Sequence, residues 1–128
     1  MAKIRFGEDS IAESKKAPIV PNQTHTHEFL GSTEIAGPNN LEHNHRFAGV
    51  TSPAIPKGSS HVHQLLTNTD FFFNHLHEVG DMTGPAIIVD GGKHVHFVSG
   101  TTTLEVGHTH DFQFATLIDD PLSSNNSW

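Results

Sequence analysis

His94-Val95-His96-Phe97-Val98-Ser99-Gly100-Thr101-Thr102-Thr103-Leu104-Glu105-Val106-Gly107-His108-Thr109-His110 is the stretch on which the reading of the fold turns. Two His-x-His triplets close it. Between them Val98 and Val106 flank a β-branched run with a reversal at its centre, the pattern of an antiparallel hairpin. Successive strand side chains alternate faces, so the two histidines of a triplet share one face. With the turn centred on Thr102, His96 is expected opposite His108 and His94 opposite His110. Opposed residues also share a face, so one hairpin would gather four imidazoles on one patch.

The device recurs twice. Around Thr69, within the turn formers Thr67-Asn68-Thr69-Asp70, His63 is expected to face His75 and His61 to face His77. Around Ile35, His27 is expected to face His43 and His25 to face His45, across a longer loop holding Gly37-Pro38-Asn39-Asn40. All 12 histidines of the chain fall in these six triplets. By parity Phe29, Phe47, Leu65, Val79, Val98 and Phe112 share the histidine face, and Phe71, Phe73, Leu104 and Val106 extend it. The residues directly after the triplets, Glu28, Arg46, Gln64, Glu78, Phe97 and Asp111, are expected on the opposite face.

Repeat starts at 25, 61 and 94 indicate one supersecondary unit copied three times. The links at 46–60 and 78–93 share T-[SG]-P-A-I, and the third link has lost it. Helical periodicity is weak. The expected fold is therefore all-β: three repeated antiparallel hairpins forming a small sandwich, barrel or short stack. Residues 1–24 read as an extended N-terminal arm, because Pro18 and Pro21 bracket Ile19 and Val20. Residues 25–120 read as a single repeat domain, and 121–128 as a tail ending in the only tryptophan.

Bulk composition narrows the function classes. With 128 residues and 34% apolar content, the core is small, and such chains need metals, disulfides or oligomerisation for support. The chain has no cysteine, so disulfides are impossible. A formal net charge of −7 argues against nucleic-acid or anionic-membrane partners and favours cations. No apolar run reaches the roughly 18 residues of a bilayer span. The start lacks an apolar signal region, so the default expectation is a cytoplasmic protein, with an extracellular filament as the other expectation.

Neutral imidazole is a good ligand for zinc, copper, nickel and iron. Two on one strand and a third from its neighbour make a ligand tripod, and burying so many imidazoles without partners would carry a large desolvation penalty. His25, His27, His43, His45, His61, His63, His75, His77, His94, His96, His108 and His110 are therefore the candidate metal ligands, with no catalytic residue among them. The motifs HxHxF at 25–29 and 43–47, T-G-P-A-I at 83–87 and G-G-x-H-x-H at 91–96 give the chain a resemblance, over roughly residues 24–112, to the YmaF-like family of small His-rich bacterial proteins. That resemblance supports the reading of repeats.

Function follows as an expectation: a metal-binding, self-assembling structural protein, with a filament as the open-ended form of the assembly, in which residues 1–23 dock on a neighbouring copy. The alternatives are a monomeric metal buffer or chaperone, and a metalloenzyme of cupin type. The last lacks the glutamate that the cupin pattern places after its His-x-His, and no triplet stands out as a unique active site.

Overall fold

The computed structural model describes residues 24–120; the tail and all of the arm but Thr24 lie outside the described residues. Three five-residue ladders dominate. Strand β1 (Glu28–Ser32) pairs antiparallel with β2 (Arg46–Val50). Strands β3 (Ile55–Lys57) and β4 (Ser60–Val62) form a small hairpin in the first link. The second ladder joins β5 (Gln64–Asn68) to β6 (Glu78–Met82). The third joins β8 (His94–Thr101) to β9 (Asp111–Ala115), with β7 (Ala86–Ile88) added on the other edge of β8. A single 3-10 turn, Asp90–Gly92, precedes β8, and no α-helix occurs among the described residues.

The expected register is wrong in all three hairpins, by the same amount. Pairing of Glu28 with Val50, Gln64 with Met82 and Phe97 with Ala115 centres the ladders on Asn39, Phe73 and Val106, four residues after Ile35, Thr69 and Thr102. The reason lies in backbone chemistry. Asn40, Asn74 and Gly107 accept the positive φ that tight reversals require, at 63°, 69° and 78°. The threonines instead stay in the ladders as buried strand ends. His27 therefore lies across from Thr51, and His45 across from Thr33, so no triplet faces its hairpin mate.

An even shift preserves which face each residue occupies, so the inward set survives the error. Phe29, Phe47, Leu65, Val79, Val98 and Phe112 form the hydrophobic cluster, with Phe114 packed against it. Glu28, Arg46, Gln64, Glu78, Phe97 and Asp111 are exposed. Phe71, Phe73, Leu104 and Val106 are exposed too, contrary to expectation, because the later turns remove them from the ladders. Gly31 and Gly49 are needed for close approach: a Cβ on either would come within 2.8 Å of the opposed Phe47 or Phe29 ring.

Neighbouring hairpins meet through paired backbone hydrogen bonds at their ends. Ser52 N donates to Gln64 O and Asp70 N to Arg46 O; Gly84 N donates to Phe97 O and Thr103 N to Glu78 O; Glu34 N donates to Asp111 O and Leu117 N to Glu28 O. Three hairpins thus surround one core, each bound to both others, while their ladders stay separate and do not close into a barrel.

Candidate metal centres

Each ladder places its first triplet at one end and its second at the other. The three first triplets converge, and so do the three second triplets. One cluster holds His25, His27, His61, His63, His94 and His96; the other holds His43, His45, His75, His77, His108 and His110. In each, six candidate ligand atoms lie within 4.8 Å of one another. A ladder of this length sets the two clusters roughly 20 Å apart, with the hydrophobic core between them. All 12 sequence-predicted histidines are in these clusters, six in each, drawn from three different hairpins and not from the two arms of one.

The structure orients the rings by a repeated device. The second histidine of every triplet donates Nδ1–H to a backbone carbonyl of the adjacent hairpin. His27 reaches Leu117 O, His63 reaches Ser52 O and His96 reaches Gly84 O, at 2.8, 2.8 and 2.9 Å. At the other end His77 reaches Thr103 O and His110 reaches Glu34 O, at 2.8 and 2.9 Å, and His45 lies 3.2 Å from the Asp70 carboxylate. The first histidines of the second cluster donate to the carbonyl two residues back: His43 to Leu41, His75 to Phe73 and His108 to Val106. His94 Nδ1 lies 3.2 Å from the buried carboxylate of Asp119. With Nδ1 carrying the proton, Nε2 keeps a lone pair and faces inward. That is how outer groups fix a metal-binding tautomer.

A buried threonine holds each inner histidine from the other side. The amides of His27, His45, His63, His77, His96 and His110 donate to Oγ1 of Thr51, Thr33, Thr83, Thr69, Thr116 and Thr102, all at 3.0 Å. Several of these hydroxyls in turn donate to the next residue's carbonyl, as Thr51 does to Ser52 O and Thr83 to Gly84 O. Those are the carbonyls that receive a histidine Nδ1–H from the next hairpin. Sequence reading missed these threonines and Asp119. The signal was present: residues 25–33, 43–51, 61–69, 75–83, 94–102 and 108–116 all follow H-x-H-x-Φ-x-x-x-T, where Φ is the core residue.

Inside each cluster the geometry is that of ligands around a cation. His43 and His45 bring Nε2 to 3.2 Å from Nε2 of His75, and His27 brings its own to 3.1 Å from that of His94. With both Nδ1 positions protonated, neither Nε2 of such a pair has a hydrogen to give, so these are lone pairs pressed together. The buried Nε2 atoms of His63, His77, His96, His108 and His110 have no hydrogen-bond partner at all. Burial, reinforced by neighbouring imidazoles, lowers His25 from 6.5 to about 3 and His27, His63, His94 and His110 to about 4. These rings are thus neutral near pH 7, the form that binds metal. Each cluster could hold one metal ion.

The family model described as "Spore germination protein GerY/YamF" matches residues 22–118, which contain every triplet and every buried threonine. Neither the curated proteins nor the solved structures contain a match. Since that model spans most of the sequence, the chain belongs to the YmaF family.

Proposed function

We propose that this protein is a structural subunit whose fold is stapled by two metal ions, one in each six-histidine cluster, and whose copies associate into an open-ended assembly. One observation carries the metal reading: inward-facing, proton-free Nε2 atoms from three hairpins converge at both ends of a small core. Among the described residues six buried side chains form the hydrophobic cluster, a small core. An ion bound only by the folded state adds its binding free energy to folding. Elemental analysis should find two ions per purified chain, and chelation should lower the melting temperature steeply. A metal content near zero after expression in metal-replete medium, with unchanged melting on chelation, would refute the reading. The spore-germination description belongs to the family model, and the metal reading does not depend on it.

Support for association comes from the surface. All three hairpin turns lie at the end of the molecule that carries the second cluster. There Ile35, Leu41, Phe71, Phe73, Leu104 and Val106 are exposed together, and exposed apolar patches mark interaction sites. Thr24, the residue that leads back to the arm, lies at the opposite end beside Ala54. An arm that leaves one end and docks on the other end of the next copy makes a head-to-tail contact, which does not close on itself. Ile19 and Val20, bracketed by Pro18 and Pro21, are the apolar residues of the arm proposed to make the contact. Removing residues 1–23 should abolish large assemblies in light scattering and electron microscopy while leaving two ions per chain. Equal assembly by the shortened chain would show that the arm does not carry the association, and a full chain that stays monomeric would favour the metal-buffer alternative.

A further inference from the structure

We infer that each cluster is a coordinatively saturated, octahedral, six-imidazole centre for a divalent first-row ion that favours this geometry, namely iron(II), cobalt(II) or nickel(II), in preference to tetrahedral zinc or copper(I). The inference rests on the metal reading above and adds the class of ion. Adjacent Nε2 atoms lie at 3.0–3.2 Å in both clusters. The edge of a regular octahedron is √2 times its metal–ligand distance, so these edges put a common centre about 2.2 Å from each nitrogen, close to metal–imidazole bond lengths. Nitrogens on opposite sides would then be about 4.4 Å apart at that bond length. That agrees with a spread of 4.8 Å over all six atoms.

Symmetry points the same way. Each hairpin gives each cluster two histidines from one triplet, so no four of the six are singled out as a tetrahedral set. In the second cluster, where all six Nδ1 atoms face an acceptor, a four-coordinate ion would leave two buried imidazoles with their Nε2 lone pairs facing it. Six neutral nitrogens also disfavour magnesium and calcium, which take oxygen ligands, and suit ions of borderline softness. Saturation has a functional consequence. A centre with six protein ligands has no open position for water or substrate, the feature that separates structural from catalytic metal sites.

The test uses the full chain, stripped by chelator and reloaded without oxygen. Titration with cobalt(II) should saturate at two ions per chain and give the weak visible bands of six-coordinate cobalt, and X-ray absorption of the cobalt and nickel forms should show six nitrogens near 2.2 Å. Offered nickel and zinc together in equal amounts, the protein should retain at least tenfold more nickel. Azide should leave the cobalt spectrum unchanged. With His108→Ala, which opens one position at the half-buried histidine of the second cluster, azide should alter the spectrum of one of the two ions only. Intense tetrahedral cobalt bands, a four-coordinate absorption fit, or retention of zinc over nickel would overturn the inference while the metal reading stands. Failure of the wild-type chain to bind any ion would overturn both.

Discussion

Asp119 shows how much one side chain contributes to these centres. It is fully buried, accepts the His94 amide at 2.8 Å through Oδ1, and leaves Oδ2 without a partner. Burial alone would raise its pKa, but the His94 amide and ring hold it below the ordinary carboxylate value, so it is ionised at neutral pH. A buried negative charge set against a ligand imidazole favours a cation on the ring's far side. Asp119→Asn keeps the shape and removes the charge. It should weaken binding of one of the two ions by about 10–100-fold and leave the other unchanged, as read by calorimetric titration. Val106 makes the opposite case. It sits at φ 50°, a conformation that penalises a β-branched residue, yet its side chain is exposed. Val106→Asn should therefore raise the stability of the metal-free chain by about 1 kcal/mol in chemical denaturation, since asparagine tolerates this backbone at little loss of packing.

At the level of the element, the nine-residue unit H-x-H-x-Φ-x-x-x-T does three things with one strand. It supplies two ligands, one core side chain, and the threonine that anchors the opposed triplet. Thr51 illustrates the coupling: its Oγ1 accepts the His27 amide and donates to the Ser52 carbonyl, which receives His63 Nδ1–H from the next hairpin. Thr51→Val is nearly isosteric but leaves the buried His27 amide unpaired, and should cost about 1–3 kcal/mol in the melting of the metal-free protein. The two strands of one hairpin also contribute to different clusters. Replacing His61 and His63 by Ala should remove one ion per chain, and replacing His75 and His77 should remove the other; the pair His96 and His108, one from each cluster, should damage both. Metal analysis of the three double variants separates this arrangement from one in which each hairpin binds its own ion.

Across the whole molecule, two six-histidine clusters flank a small apolar core, and acidity acts on both ends together. For the histidines lowered to about 4, the unfolded chain binds protons below its ordinary value of about 6.5 while the folded chain does not. Stability of the metal-free protein should therefore be fully present above about pH 6.5, fall as pH drops towards 4, and change little from these groups below that. Bound metal competes with protons for the same Nε2 atoms, so the loaded protein should hold its melting temperature to lower pH than the chelated one. Circular dichroism melts across pH 3–8 (a range chosen to bracket both values), with and without chelator, check the sign and the window. Equal acid sensitivity of both forms would mean that no ion occupies the clusters.

The sequence alone determined the all-β class, the core residue after each triplet and the twelve candidate ligands, because these depend on local alternation with a period of two. Phe29, Phe47, Leu65, Val79, Val98 and Phe112 follow the second histidine at a fixed offset, and burial follows that offset whatever the register. Register is a different kind of quantity. It depends on which residues can take positive φ at the reversal and on what satisfies a buried threonine hydroxyl, and neither is local to the triplets. Turn-forming composition around Thr69 and Thr102 pointed to a shorter ladder, whereas Asn74 and Gly107 make the turn and the threonines bond the opposed histidine amides. The most consequential fact, which six histidines share a centre, was decided only by the packing of three hairpins about one core. His25 and His94, 69 residues apart, come within 3.0 Å only because the strand ends of separate hairpins bond to one another.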